Sequence, residues 1–354
     1  MIGEIETRPF QPDAPETGER TEVHKDETAE KPEVLALTDF ALPKLDFDLT
    51  PETQTKMEAL AAKIKTDFEK TEFQGEHLEN LETKPENAAN SWKIEQSGNQ
   101  LFYVDEQGKR QELTLGDLLT DGEWGLKYYF DKRVSKEVKS AYLQAEAKRE
   151  MQQAYNQALL LQETENPKLD KLTRETYQRI LNDLETGQEH FGLQIERAVK
   201  NFFKKISINH DFFKVYDADV KQDVQDKIDF IIANVHHLQG LEVQEDPSAK
   251  KQIDVQFTTN LAPENIWKKS TQLQKVKARS GDLPANAIKA LVKMDGRDFR
   301  FFHNRWQAKK TPGGPDRAWR PGTKWTLFQQ AMRKFLSSEE IDAYWTMMNN
   351  KNRV

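Results

Sequence analysis

At 354 residues the chain has room for two modest domains and tails, and its 36% hydrophobic and 31% charged residues leave only part of that length able to build a core. With no cysteine there is no disulfide framework, no zinc ribbon and no thiol nucleophile, a composition that suits a reducing, cytoplasmic setting. The net charge of −7 hides an asymmetry: residues 1–100 carry 11 Lys/Arg against 23 Asp/Glu, whereas residues 261–354 carry 19 against 8. A basic half opposite an acidic one marks a face for polyanions such as nucleic acid, or else a simple internal balance of charge.

Residues 1–45 are rich in Glu, Pro and Thr, and ordering them would cost more than they could bury, so they are predicted to be a disordered acidic arm. They contain no apolar run of signal-peptide type, and no stretch of eighteen apolar residues suggests a membrane partner. Residues 46–90 read as a helix and a polar connector. Thr50 stands at the N-cap, Pro51 at the first helical position, and Met57, Leu60, Ala61 and Ile64 follow at helical spacing. Residues 91–166 form the next unit. Alternation around Ser97-Gly98-Asn99 and Glu106-Gln107-Gly108 predicts three short antiparallel strands near 92–96, 100–104 and 110–114. An apolar cluster at 115–130 closes over them, and a long helix follows from Lys136 to Thr164.

Residues 167–295 change character partway. A helical pattern to about Lys205, easing near Gly187 and Gly192, gives way to strands at 211–216, 227–232 and 252–258. A polar loop joins the last two strands. A helix over 263–279 follows, then a strand or short helix over 287–294. Helix–strand–strand–strand–helix–strand makes an α+β core of a small mixed sheet flanked by helices. The basic, aromatic C-terminal region, 296–354, interleaves Arg300, Arg305, Lys309, Lys310, Arg317 and Arg320 with Phe and Trp. These cations could meet phosphates while Trp306 or Trp319 stacks on bases, or the aromatics could pack the core with the cations outside. A last helix is predicted over Trp325–Phe335.

No phosphate-cradling loop, dinucleotide fingerprint, His-Glu-x-x-His pair or Gly-x-Ser-x-Gly elbow is present. What stands out is an arrangement of acids. Asp229 interrupts an apolar strand, Asp254 and Gln256 lie two apart and share a strand face, and Glu196 rides on the preceding helix. Crowded carboxylates raise one another's pKa unless a cation neutralises them, and oxygen ligands suit Mg²⁺ or Mn²⁺.

In this order, the residues resemble the PD-(D/E)XK, or restriction-endonuclease-like, superfamily, over about a quarter of the chain. The strings ADVKQDVQDKIDFII and IDVQFTTN are similar to a bacterial group within it that carries a degenerate Asp-x-Gln motif. The resemblance implies a restriction-endonuclease-like core and a metal-dependent nuclease acting on nucleic-acid phosphodiesters, or descended from proteins that did. It implies Glu196, Asp229 and Asp254 as metal ligands and Gln256 where a Lys usually stands. Gln272 and Lys275 would be the polar pair on the following helix, with Lys275 in the catalytic set. Lys227, Lys251 or Lys275 would supply the missing charge. Lys268, Lys269, Gln272, Arg305, Lys309, Lys310, Arg317 and Arg320 would contact the nucleic acid. The alternative expectation is a non-catalytic module that binds nucleic acid or protein on the same scaffold.

Composition alone generates one prediction. Deleting residues 1–45 should leave folding intact, and hydrogen exchange should find no protected amides between Glu4 and Val34; strong protection there would contradict it.

Overall fold

The computed structural model describes residues 49–74, 78, 80–84, 91–105, 107–186, 190–239, 242–244, 252–275 and 287–350. The predicted acidic arm, residues 1–45, lies outside the described residues. Helix α1 (Pro51–Gln74) buries Met57, Ala61 and Ile64 against Met151, Tyr155 and Leu159 of α3. Helix α3 (Lys136–Thr164) is started by Ser135, whose hydroxyl accepts from Val138 N.

The first sheet has four strands rather than three: β1 (Ser91–Ser97), β2 (Gln100–Val104), β3 (Arg110–Leu113) and β4 (Lys127–Phe130), in the order β3-β2-β1-β4. The hairpins match the expectation, with Ile94 opposite Tyr103 and Leu101 opposite Leu113. Gly98 turns the first hairpin at φ +59°, where only glycine is at ease. The added strand β4 runs parallel to β1, a pairing that local alternation cannot reveal. Between the hairpins and β4, a short helix α2 (Leu115–Thr120) opens on a capping box formed by Thr114 and Asp117.

Helices α4 (Lys171–Thr186) and α5 (Phe191–His210) lead into the second sheet. This sheet comprises β5 (Lys214–Asp217), β6 (Phe230–Ala233), β9 (Gln252–Thr258) and β10 (Ile288–Lys293), in the order β10-β9-β6-β5. β5, β6 and β9 form an antiparallel meander, and β10 returns parallel to β9. The polar loop predicted between β6 and β9 contains a small hairpin, β7 (His237–Gln239) and β8 (Glu242–Gln244). Helix α6 (Pro263–Lys275) connects β9 to β10. The chain is thus a mixed α+β protein built on two small four-stranded sheets.

The C-terminal region is helical and does not stand apart as a separate unit. Helix α7 (Gly296–Gln307) sends Trp306 into the core of the first sheet, beside Ile94, Leu118 and Tyr128. Helices α8 (Pro321–Met332) and α9 (Ser338–Asn350) bury Leu327, Phe328, Ile341 and Tyr344 in the core of the second. That core is formed with Ile195, Val199, Phe203, Phe230, Ile232, Ile253, Val255 and Val292, so the three strands β6, β9 and β10 turn an apolar face to α5.

Both sheets are joined through a buried lysine. Lys205 on α5 donates to Asp316 Oδ1 and to the Gly313 carbonyl, each at 2.7 Å, and sits 3.2 Å from Asp117 Oδ1 on α2. Burial works against its charge, but Asp316, Asp117 and Asp121 outweigh burial and raise its pKa. Asp121 also accepts from Gly313 N at 2.6 Å and from the Tyr128 hydroxyl. Removing the ammonium would leave Asp117 and Asp316 buried without their countercharge. Lys205→Ala should therefore cost about 3–5 kcal/mol in urea unfolding, and a loss below about 1 kcal/mol would show the knot to be incidental.

Candidate functional site

The face of the second sheet opposite its apolar core is polar. Phe230 pairs with Val255 and Ile231 with Asp254, so one step further along the ladder Asp229 faces Gln256. Asp229 N donates to Val255 O at 2.9 Å, which fixes that register. Because side chains alternate along a strand, Gln252, Asp254 and Gln256 project from the side away from Ile253 and Val255, whereas Asp229 stands at a bend before β6 and turns its carboxylate to the backbone of β9. Gln252, Asp254 and Gln256 are nonetheless buried, an uncommon state for three polar residues in a row of alternate positions.

Each acid has a distinct environment. Asp254 accepts from Gln252 Nε2 at 2.6 Å and feels Lys289, its cross-strand neighbour on β10; burial still holds its pKa above the usual range. Asp229 caps the edge of β9 just beyond the end of β6. There Phe257 N donates to Asp229 Oδ2, and Lys269 Nζ donates to Phe257 O at 2.7 Å. N–H and C=O of one strand residue point the same way, so these two bonds bring the carboxylate and the ammonium side by side. Burial raises the pKa of Asp229 to about 7, with Asp223 adding to the shift and Lys269 and Lys200 opposing it. Glu196, half-buried on α5, is raised by burial and then by Asp229 and Asp223. Asp223 itself is raised, mainly by burial, with Lys227, Lys200 and Lys269 pulling the other way.

The acids that sense one another are therefore Glu196, Asp223 and Asp229, with Lys269 and Lys200 between them. Asp254 is not one of them: its neighbours are Gln252 and Lys289. Two positions along β9 from Asp254, the side-chain oxygen of Gln256 is buried with no hydrogen-bond partner among the described residues. Among the described residues no three Asp, Glu or His side chains are grouped tightly enough to hold a metal as they stand. The kinds of donor present, carboxylate oxygens and an amide oxygen, are those that suit a hard cation.

Asp223 and the role of Lys269 are additions to the sequence reading. Asp223 lies on an irregular turn, Gln222–Asp226, with i→i+5 bonding, and no periodicity forecasts its return to the sheet. Lys269 was expected on the nucleic-acid face but lies among the acids. Lys268 and Gln272 are exposed on α6, while the side chain of Lys275 and all of Lys251 lie outside the described residues. Lys227 sits in a left-handed conformation at φ 57° and bonds to Val224 O.

The C-terminal candidates divide. Arg305, Lys309 and Arg320 are exposed. Arg317, expected to meet phosphate, is held by the protein: its Nη2 donates to Glu112 O at 2.6 Å and its guanidinium lies 5.8 Å from the Tyr103 ring centre. Trp306 and Trp319 are buried and part of the cores, so neither is a stacking platform. Comparison with known proteins returns no matching family, no matching curated protein and no matching solved structure.

The protonation of Asp229 carries a stability signature. A carboxyl with a folded pKa near 7, above its ordinary 3.8, keeps its proton in the folded state while the unfolded chain loses it. Stability should then fall as pH rises from about 4 to 7 and stay reduced above that. Asp229→Asn keeps an oxygen for Phe257 N and removes the charge. It should gain roughly 1–3 kcal/mol at pH 8 over wild type and nothing at pH 3. A variant less stable than wild type at pH 8 would contradict this account.

Proposed function

We propose that the chain is a divalent-metal-dependent phosphodiester hydrolase acting on nucleic acid, with a restriction-endonuclease-like core. The observation that carries this reading is the meeting of Glu196, Asp223, Asp229 and Lys269 at the end of β6, next to β9, the strand that bears Asp254 and Gln256. The element order α5-β5-β6-β9-α6-β10 supports it as well: an acid-bearing helix, a meander, the two acid-bearing strands and a basic helix.

Asp229 and Asp254, with the unpartnered oxygen of Gln256, are the residues that would hold Mg²⁺ or Mn²⁺. Such an ion polarises a phosphoryl oxygen and makes a bound water more acidic. Glu196, whose affinity for a proton is raised by burial and by its acidic neighbours, would be the acid or base of the set. Lys269 brings the positive charge that Gln256 lacks, from a helix rather than from the strand. Lys268 and Gln272, exposed on the same helix, stand outside the site where a polyanion would lie.

A second reading is a non-catalytic binding module on this scaffold. It is favoured by the ties that occupy the acids, Asp229 to Phe257 N and Asp254 to Gln252 Nε2. One assay separates the two. Purified protein with Mg²⁺ or Mn²⁺ should cleave plasmid or single-stranded DNA or RNA. Asp229→Asn and Asp254→Asn should each lower the rate at least about a hundredfold, Lys269→Met about tenfold or more, and Gln256→Lys should keep or raise it. No cleavage of any of these substrates, or equal cleavage by Asp254→Asn, would select the binding module.

A further inference from the structure

Trp306 and Trp319 are buried, but one ring of the basic C-terminal region faces solvent. Helix α7 turns Phe299, Phe302, His303 and Trp306 inward and Arg297, Arg300, Phe301, Asn304 and Arg305 outward. On the outward side Arg297, Phe301 and Arg305 recur at every fourth residue, so they stand in one row about 6 Å apart. Lys309 continues the row in the turn past the helix end, and Lys310, half-buried at φ 42°, closes it. Phe301 is 61% exposed, and among the described residues its ring meets one other, Phe302, edge-on with centres 5.4 Å apart.

The cations along the row are not equally occupied. Arg297 is held at 2.9 Å by Asp295, the N-cap of α7, and Arg300, beside the row, lies 4.7 Å from the ring centre of Phe191. Arg305 and Lys309 are exposed and have no carboxylate partner among the described residues. The one acid within α7, Asp298, lies in its first turn, where it complements the helix dipole. The row also begins beside the acids of the second sheet. Met294 N donates to Thr258 O at 3.2 Å, and a Cβ at Gly296 would meet Phe191, Thr259 and Ile195 at 3.7–3.9 Å. Thr258 follows Phe257, whose backbone holds Asp229 and Lys269, and Ile195 precedes Glu196.

We propose that the outer face of α7 binds single-stranded nucleic acid, with an unpaired base stacked on Phe301 and phosphates on Arg305 and Lys309. The two free cations match a polyanion, and the exposed ring selects a single strand, because bases in a duplex are already stacked on one another. An anionic membrane suits this face less well. An interfacial helix buries a broad apolar side in lipid, and the apolar side of α7 is already buried in the protein. The inference rests on the proposed function for its nucleic acid, names the form of the strand, and does not depend on hydrolysis.

Fluorescence anisotropy of a labelled oligonucleotide of about 16 bases, alone or annealed to its complement, tests it on the full chain in EDTA, where no metal-dependent cleavage intervenes. The single strand should bind at least about tenfold more tightly than the duplex. Phe301→Ala should weaken single-strand binding about tenfold and leave duplex binding and the melting temperature unchanged, and Phe301→Trp should restore it. Arg305→Gln combined with Lys309→Gln should flatten the log–log salt dependence by about 1.4. No single-strand binding below about 100 μM, equal affinity for strand and duplex, or unchanged affinity in Phe301→Ala would overturn the proposal. So would capture of phosphatidylserine vesicles, or of a second copy of the chain, in place of the oligonucleotide. The two readings fail separately: a protein that binds single strands in this way and never cleaves ends the hydrolase reading alone. Cleavage by a protein whose strand binding ignores Phe301 ends this one alone.

Discussion

The ammonium of Lys205 sits where three segments distant in sequence meet: α5 itself, Asp117 on α2 of the first sheet's unit, and the Gly313–Asp316 turn of the C-terminal region. None of these groups can be buried alone at tolerable cost, so each fixes the others. Just before it on the same helix, Lys204 and Lys200 continue the pattern. Lys204 is shared between Glu123 and Asp217 at 2.8 Å each, and Lys200 lies 2.6 Å from Asp217. Burial opposes both charges, yet the carboxylates prevail and both ammonium groups stay charged. Helix α5 is therefore apolar toward the second sheet, through Ile195, Val199, Phe202 and Phe203, and cationic toward the rest.

That arrangement gives the candidate site its character. Lys200 belongs to the ion pairs with Asp217 and also lies near Glu196, Asp223 and Asp229. The acids are thus partly neutralised from the scaffold side by Lys200 and from the helix side by Lys269. They remain under-compensated, since all three have raised pKa values. A protein that keeps such a cluster accepts a stability cost for it, which is the usual mark of a site retained for chemistry or binding rather than for folding. The buried face of β9 tells the same story: Gln252, Asp254 and Gln256 occupy positions that Val or Ile would fill at lower cost.

Much of this was legible in the chain itself. The apolar and polar residues of 252–258 identified β9, with Asp254 and Gln256 on one face, and the helical pattern to about Lys205 identified α5. Three features were not legible, for physical reasons. β4 pairs parallel with β1 across a long connection, and parallel pairing leaves no local signature. Whether Trp306 and Trp319 stack on bases or pack the core stayed open because local sequence does not say which side of a helix or turn meets a distant sheet. Asp223 and Lys269 come to Asp229 through an irregular turn and a crossover helix, and neither spacing is periodic. The strand that bears Asp254 could be identified from the sequence; the neighbours that Asp229 meets on other elements could not.

The central claim is that the polar face of the second sheet gathers a divalent ion. Titrating the protein with Mn²⁺ and following free Mn²⁺ by electron paramagnetic resonance tests it without substrate or turnover. The account predicts one saturable site in wild type, competed by Mg²⁺, weakened at least about tenfold in Asp229→Asn and in Asp254→Asn alike, and weakened as pH falls below about 7 while Asp229 takes up its proton. Stoichiometric binding that survives both substitutions, or no saturable binding at pH 8, would contradict it.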